Sequence, residues 1–189
     1  LWGIIIHQIM EQFFKWLKSK EKTIDELMTP TNYEQTKLEL FTIAEAALLP
    51  FEKNNFYWTI KREWLFGSSS KKGLLELFLE HENTTPLPLY PILNEAKFEQ
   101  LLVESGSETS LILKGKIDAI LGSSHSNWMA ILDYKTSATL PSGEDIKQFR
   151  SLQFPIYMMA AQTMYPERQL AGSVYYQLKD ERRFGSSVP

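Results

Sequence analysis

Two aspartates and a lysine stand out because they interrupt stretches that are otherwise apolar. Asp118 follows a run of Leu, Ile and Gly, and Asp133 directly follows the apolar residues 129–132. Ionised carboxylates are rare inside such stretches unless they are paired or bound to a metal ion. Two carboxylates and a backbone carbonyl form a hard oxygen site that suits Mg²⁺ or Mn²⁺. Lys135 falls on the same strand face as Asp133 and would point at whatever the metal holds.

The two acidic stretches are predicted to be the strands of one hairpin. Residues 111–121 and about 128–135 have strand patterns, and residues 122–127 supply the turn between them. If the strands pair with an odd-sum register, Asp118 and Asp133 become close neighbours on the same side of the sheet. The spacing therefore predicts a site shared by both strands.

The strand pattern also leaves a second interpretation open. Ile117 and Ala119 are predicted on one face of the first strand, whereas Lys116 falls on the other face. An ordinary surface ion pair of Asp118 with Lys135 or Lys116 explains this pattern about equally well, because one face of an antiparallel sheet is often in contact with water.

A helical pattern opens the chain. Residues 1–18 place large apolar residues at three- and four-residue steps, which predicts an amphipathic helix. His7 lies away from the centre of this apolar stripe and one turn after Gly3, so it borders a notch left by the missing side chain. We interpret His7 as a metal or site contact; the simpler alternative is a helix histidine with no role in a site.

Further helices are predicted before the hairpin. The segment 33–50 has a helical pattern that Pro50 should end, and residues 72–82 have a second one. The aromatic segment 55–66 fits either a strand or a helix. Residues 84–91 contain three prolines and predict an extended connection.

A helix and a strand are predicted after the hairpin. Ser142 with Asp145 three residues later resembles a capping box, and one long helix should run from there to about residue 165, with a kink at Pro155. Residues 170–178 predict a further strand, so the second hairpin strand begins a strand–helix–strand crossover. The chain therefore predicts an α/β (α+β) fold, with a central mixed sheet flanked by helices and an N-terminal helical segment.

The overall composition limits the class of protein. The 189 residues suffice for a single domain over 1–189, and because the chain begins with Leu we expect that domain to be excised from a longer polypeptide. The lack of cysteine excludes disulfides and thiolate metal sites and fits a cytoplasmic protein. A net charge of −3 is not typical of proteins that coat nucleic acid, although bound divalent cations reverse the local field at a small site. No apolar run approaches the roughly 18 residues that cross a bilayer, so no membrane contact is expected.

Four short motifs resemble those of one enzyme superfamily, in the same order and on the expected elements. They are Gly3-Ile4-Ile5-Ile6-His7, Gly115-Lys116-Ile117-Asp118, Asp133-Tyr134-Lys135-Thr136 and Gln153-Phe154-Pro155-Ile156-Tyr157. Together they are similar to the G-x-x-x-H, G-x-x-D, D-Y-K-T and Q-x-x-x-Y motifs of the RecB-like (RecB/AddB-type) branch of the PD-(D/E)XK nuclease superfamily. Residues 88–99 loosely resemble the strand that precedes G-x-x-D in that branch. Many AddB-type members contain a four-cysteine iron–sulfur cluster, so this chain resembles the cluster-free members or has its cysteines in missing flanks.

The resemblance implies a metal site and a catalytic lysine. The metal ion would be held by four residues, namely His7, Asp118, Asp133 and, through its carbonyl, Tyr134. Lys135 would orient or activate the attacking water and stabilise negative charge on the phosphate. Asp118, Asp133 and Lys135 would thus be the catalytic residues of a restriction-endonuclease-like fold.

The resemblance also implies the substrate. Gln153 and Tyr157 lie at positions i and i+4 of one helix face, where they would contact DNA or steady the lysine. The implied activity is that of a Mg²⁺- or Mn²⁺-dependent deoxyribonuclease, as an exonuclease in DNA repair or recombination, with a helicase domain or subunit as partner. One alternative is a catalytically inactive nuclease-like domain that acts as a DNA- or helicase-binding scaffold. The other is an unrelated binding domain whose motifs match by chance.

Overall fold

Helices fill the first half of the chain. The computed structural model describes residues 1–20, 29, 31–51, 56–84, 89–104, 110–123, 126–136, 139–178 and 186–187. The first four helices are α1 (Trp2–Ser19), α2 (Tyr33–Leu48), α3 (Phe56–Phe66) and α4 (Leu74–Thr84). Two short strands, β1 (Gly67–Ser68) and β2 (Lys71–Lys72), pair antiparallel between α3 and α4. Within the described residues, no helix has both the length and the apolar character needed to span a membrane.

The predicted helices of this half are confirmed, with shifted ends. The aromatic segment that fitted either a strand or a helix is helical. Pro50 does not end α2 directly, because a 3₁₀ turn over Leu49–Phe51 contains it; a proline is tolerated at the start of a helical turn, where the N–H has no partner. The predicted connection over 84–91 is shorter than expected, since β3 already begins at Leu89. Residues 85–88 lie outside the described part of the chain.

A mixed sheet forms the centre of the second half. Its strands are β3 (Leu89–Glu104), β4 (Ser110–Ser123), β5 (Trp128–Lys135), β6 (Gln169–Gln177) and β7 (Ser186–Ser187), in that spatial order. β3, β4 and β5 pair antiparallel, β6 is parallel to β5, and β7 is antiparallel to β6. This is the predicted mixed α/β arrangement, and it agrees with the restriction-endonuclease-like fold that the resemblance implies.

The pairing of β4 with β5 fixes the position of the two aspartates. Ala119 pairs with Leu132 at one end of this ladder, so the predicted odd-sum register is confirmed. Continuing the register by one residue places Asp118 opposite Asp133. Because side chains alternate between the faces of a strand, a slip by one residue would turn the β5 side chains to the opposite face.

Helices cover both faces of the sheet. On one face, α1 to α4 share a buried cluster with the sheet residues Ala119, Leu121, Leu132 and Tyr134. On the other face, the helix that follows β5 packs on Ile120, Met129, Ile131 and Tyr175. Side chains from both helical layers can therefore converge at the point where the two aspartates meet.

The face alternation of β4 breaks beside Asp118. Ile117 packs in the second of these clusters, whereas Ala119 lies in the first, so the prediction that both share one face is wrong. On the neighbouring strand β3, Glu95 has a φ of 52° and lies between two regular pairs of the β3–β4 ladder. A residue in the left-handed conformation interrupts the extended backbone of β3 next to this break.

The long helix predicted after the hairpin is wrong, because it is two helices. α5 (Gly143–Lys147) begins with the predicted capping box of Ser142 and Asp145, and α6 spans Gln153–Met164. Phe149, between them, has a φ of 57°, which a continuous helix does not allow. Pro155 consequently lies in the first turn of α6, where its missing N–H costs no hydrogen bond, so the predicted kink is also wrong.

Glu82 is a half-buried carboxylate near the end of α4. The hydroxyl of Tyr176 on β6 donates a hydrogen bond of 2.6 Å to its Oε1. Burial raises the pKa of Glu82 from 4.5 to about 7, and the hydrogen bond opposes this shift only in part. Glu82 therefore ionises near neutral pH in the folded chain.

A raised carboxyl pKa makes the folded chain more stable at low pH. This contribution is fully present below the unfolded value of 4.5 and is lost as the pH rises through about 7. Between about pH 5 and pH 8, we predict that the free energy of unfolding falls by about 2–3 kcal/mol more in the wild type than in Glu82→Gln. Urea denaturation at the two pH values measures this difference. The same pH dependence in both proteins would contradict the prediction.

Candidate active site

Asp118 and Asp133 are both buried where β4 and β5 run side by side. Their exposed fractions are 9% and 2%. The backbone N–H of Tyr134 donates a 2.8 Å hydrogen bond to Oδ2 of Asp118, and the side-chain amide of Gln153 donates a 2.6 Å hydrogen bond to Oδ1 of Asp133. Two buried carboxylates at neighbouring positions are costly to ionise, so they need these donors and nearby cations.

Lys135 is the cation beside Asp133. Its Nζ lies 2.7 Å from Oδ2 of Asp133 and donates a 2.9 Å hydrogen bond to Oε1 of Gln153. The ammonium also lies 5.5 Å from the centre of the Tyr175 ring. Burial raises the pKa of Asp133, and the hydrogen bond from Lys135 opposes this shift. Asp133 is therefore a carboxylate that additional positive charge would stabilise.

Gln153 connects the strand residues to α6. Its amide accepts from Lys135 while its Nε2 donates to Asp133 and lies 3.2 Å from the hydroxyl of Tyr157. Gln153 and Tyr157 are one helical turn apart, which explains why both reach the same place. The structure thus brings the predicted Q-x-x-x-Y residues to the lysine.

His7 reaches the site from α1, on the other side of the sheet. Its Nδ1 lies 3.3 Å from Oδ1 of Asp118, and its Nε2 lies 3.0 Å from the carbonyl oxygen of Tyr134. The hydrogen bond with Asp118 raises the pKa of His7, and burial opposes this shift. A Cβ on Gly3, one turn earlier, would lie 3.3 Å from Oγ1 of Thr136. The glycine therefore lets α1 approach the segment after β5 closely.

The simple surface ion pair considered from the sequence is wrong. Asp118 faces His7 rather than a lysine, and Lys135 pairs with Asp133. Lys116 pairs with Glu95 instead. Asp118 and Asp133 also lie among buried groups rather than on a wet face, so the charges are concentrated at one place.

One acidic residue of the site was not predicted. Glu95 on β3, His7 and Asp118 each offer a ligand atom, and these three atoms all lie within 4.8 Å of one another. Glu95 lies in the segment that loosely resembles the strand before G-x-x-D. The sequence offers one signal for Glu95, which is an acidic residue in a segment expected to pair with the strand of Asp118. No motif spacing distinguishes it from other acidic residues.

The donors at this place fit a divalent cation. The site offers an imidazole nitrogen from His7, a carboxylate oxygen from Asp118 and the carbonyl oxygen of Tyr134. The neighbouring carboxylate of Asp133 on β5 is not part of the three-residue cluster of His7, Glu95 and Asp118. Oxygen ligands with a single imidazole suit Mg²⁺ or Mn²⁺ better than a soft metal. Lys135 adds a fixed positive charge next to these donors. A cation site with an adjacent ammonium is suited to holding and polarising an anionic substrate such as a phosphate.

The comparison with known families agrees with this chemistry. The chain matches the family model of the PD-(D/E)XK nuclease superfamily over residues 1–188. The protein therefore belongs to this superfamily, whose members are generally metal-dependent nucleases. No curated protein matches the chain significantly.

The contact between His7 and Asp118 leads to a titration test in the metal-free protein. We predict that His7 titrates with a pKa above 6.5 and that Asp118→Asn lowers this pKa, because the carboxylate is the main cause of the shift. NMR titration of the histidine ring protons in the presence of a chelator measures it. His81 is an internal control, because burial lowers its pKa and Asp118 is not among the causes. An unchanged His7 pKa in Asp118→Asn would contradict the contact.

Proposed function

We propose that this protein is a Mg²⁺- or Mn²⁺-dependent deoxyribonuclease that hydrolyses phosphodiester bonds. The main observation in support is the position of Lys135, which is held against Asp133 and Gln153 beside a second buried carboxylate, Asp118. If the ion pair of Lys135 and Asp133 only stabilised the fold, it would not need another buried carboxylate, Asp118, and a histidine next to it. Superfamily membership supports the same activity.

The proposal assigns the cation to four donors. His7, Asp118, Asp133 and the carbonyl oxygen of Tyr134 would hold it, and when bound it supplies Lewis-acid polarisation of the phosphate and a lower pKa for water. Burial of Asp118 and Asp133 keeps competing water away from their oxygens, which strengthens their attraction for a cation. His7 has to be neutral to act as a ligand, so binding should release a proton at a pH below the raised pKa of His7.

Lys135 supplies the fixed positive charge. Its ammonium donates hydrogen bonds to an oxygen of the phosphate or to the attacking water, where negative charge accumulates as the phosphorus–oxygen bond forms. Gln153 holds the lysine in place by accepting from Nζ and holds Asp133 by donating to it. Tyr157, one turn along α6, presents its hydroxyl beside Gln153 and would contact the DNA strand.

The four motifs also resemble those of the RecB-like branch of the superfamily. We propose on that basis an exonuclease that acts in DNA repair or recombination, with DNA as substrate and a helicase domain or subunit as partner. The overall charge of −3 does not attract DNA, so substrate binding would depend on the local cation and on Lys135. The intact set of Asp118, Asp133 and Lys135 disfavours an inactive scaffold, which has no need for buried charges that cost stability.

Replacing Lys135 separates a catalytic role from a structural one. We predict that Lys135→Ala lowers the cleavage rate by at least roughly a hundredfold, or about 3 kcal/mol, because a positive donor at the transition state is lost. Affinity for Mn²⁺, measured by calorimetry, should persist, since an ammonium is not a ligand. Lys37→Ala is the matched control, because Lys37 forms a similar ion pair with Glu76 between α2 and α4. Wild-type cleavage by a folded Lys135→Ala protein would contradict the proposal.

Cleavage itself tests the proposed function. We predict that the protein degrades labelled DNA with Mg²⁺ or Mn²⁺, that EDTA stops this, and that Asp118→Asn abolishes both cleavage and Mn²⁺ binding. Linear and covalently closed circular substrates, single- and double-stranded, distinguish an exonuclease from an endonuclease. Metal-independent cleavage, or no cleavage of any of these substrates with either cation, would contradict the activity.

A further inference from the structure

Glu95 occupies an unusual position in β3. Its φ of 52° is left-handed, a conformation that non-glycine residues in strands rarely adopt. The β3–β4 ladder is regular on both sides of it, with Asn94 opposite Ala119 and Ala96 opposite Ile117. Continuing the register places Glu95 opposite Asp118. The backbone therefore departs from strand geometry at the one β3 position that faces the buried aspartate.

The side chain of Glu95 lies inside the site. It is only 13% exposed, and one of its oxygens lies within 4.8 Å of ligand atoms of His7 and Asp118. A glutamate placed against an aspartate is unfavourable unless positive charge separates them. Strained backbone that brings like charges together is typical of a functional site rather than of a stabilising contact.

Lys116 supplies a positive charge beside Glu95. Its Nζ forms an ion pair with Oε2 of Glu95, and its side chain is 51% exposed. The hydrogen bond with Glu95 is the main cause of the raised pKa of Lys116, and the charges of Asp118 and Glu11 raise it further. A long, half-exposed side chain can leave the site at little cost, because its ammonium returns to water. The pair of Lys135 and Asp133 has less of this freedom, because the Lys135 side chain is only 25% exposed.

From this geometry we propose that Glu95 is a further cation ligand. It acts with His7 and Asp118, and Lys116 is the counter-ion that a bound cation replaces. The inference rests on the proposed function, because it requires a divalent cation at this site. It adds a ligand from β3 to those that β4 and β5 provide. β3, β4 and α1 would each contribute one donor to the same cation. The strained φ of Glu95 is explained as the conformation that aims its carboxylate at Asp118 and His7.

Calorimetric titration with Mn²⁺ tests the assignment without relying on activity. Glu95→Gln should weaken Mn²⁺ binding by at least roughly tenfold, because an oxygen ligand and its charge are lost. Lys116→Met should strengthen binding, because a competing cation is lost while Glu95 keeps its charge. Glu11→Gln is the matched control, since Glu11 also acts electrostatically on Lys116 but does not belong to the three-residue cluster. Its effect should stay within about twofold, as expected for a partly screened charge.

Glu95→Gln leaves Lys116 without its ion-pair partner, which could impair folding. A second variant keeps the test valid in that case. Glu95→Gln combined with Lys116→Met removes the ion pair as a unit, and it should bind Mn²⁺ at least roughly tenfold more weakly than Lys116→Met alone. Equal binding by these two proteins, or equal effects of Glu95→Gln and Glu11→Gln, would overturn the assignment of Glu95.

The outcomes for Glu95 and for the nuclease proposal can be told apart. If the wild type cleaves DNA and Mn²⁺ binding is unchanged in Glu95→Gln, the ligand role is wrong and the nuclease proposal stands. If Glu95→Gln loses Mn²⁺ affinity but the wild type cleaves no DNA, the ligand role stands and the nuclease proposal is wrong. A wild type that binds no Mn²⁺ overturns both.

Discussion

The register of β4 against β5 is the constraint on which the rest of the site depends. It sets Asp118 and Asp133 side by side, and both carboxylates are buried. Removing two like charges from water at adjacent positions is unfavourable, so the surrounding structure has to supply donors and cations. The backbone N–H of Tyr134, the imidazole of His7 and the ammonium of Lys135 do this. A divalent cation would meet the same need with a larger charge.

The two helical layers contribute to the site from opposite faces of the sheet. α1 brings His7 from one side, and α6 brings Gln153 from the other. Gly3 permits the close approach of α1, and Gly115 leaves room within the sheet for the ring of Phe98 on β3. A Cβ on Gly3 would crowd Thr136, and a Cβ on Gly115 would lie 2.4 Å from the ring of Phe98. The glycines of the G-x-x-x-H and G-x-x-D motifs therefore have a steric reason, separate from the chemistry of the residues that follow them.

Local patterns in the sequence were sufficient to predict the hairpin and its register, because alternating apolar residues specify which face of a strand is buried. They were not sufficient at two places where the backbone leaves regular geometry. The face alternation that predicts Ile117 beside Ala119 breaks next to the left-handed residue Glu95, and Phe149 divides the predicted continuous helix. Glu95 itself went unnoticed because its proximity to His7 comes from three elements packing together, and no local spacing records that. Pro155 is predicted to kink a helix because the sequence pattern does not show that α6 begins only two residues earlier, at Gln153.

The proposed activity requires that the buried aspartates Asp118 and Asp133 belong to a single cation site. Crystals soaked in MnCl₂ and measured near the manganese absorption edge test it most directly, because anomalous scattering locates the ion without regard to activity. The account predicts a strong anomalous peak in contact with oxygens of both aspartates and with the carbonyl oxygen of Tyr134. A fully soaked crystal with no peak there, or with manganese only at other acidic residues while Lys135 stays paired with Asp133, would contradict it.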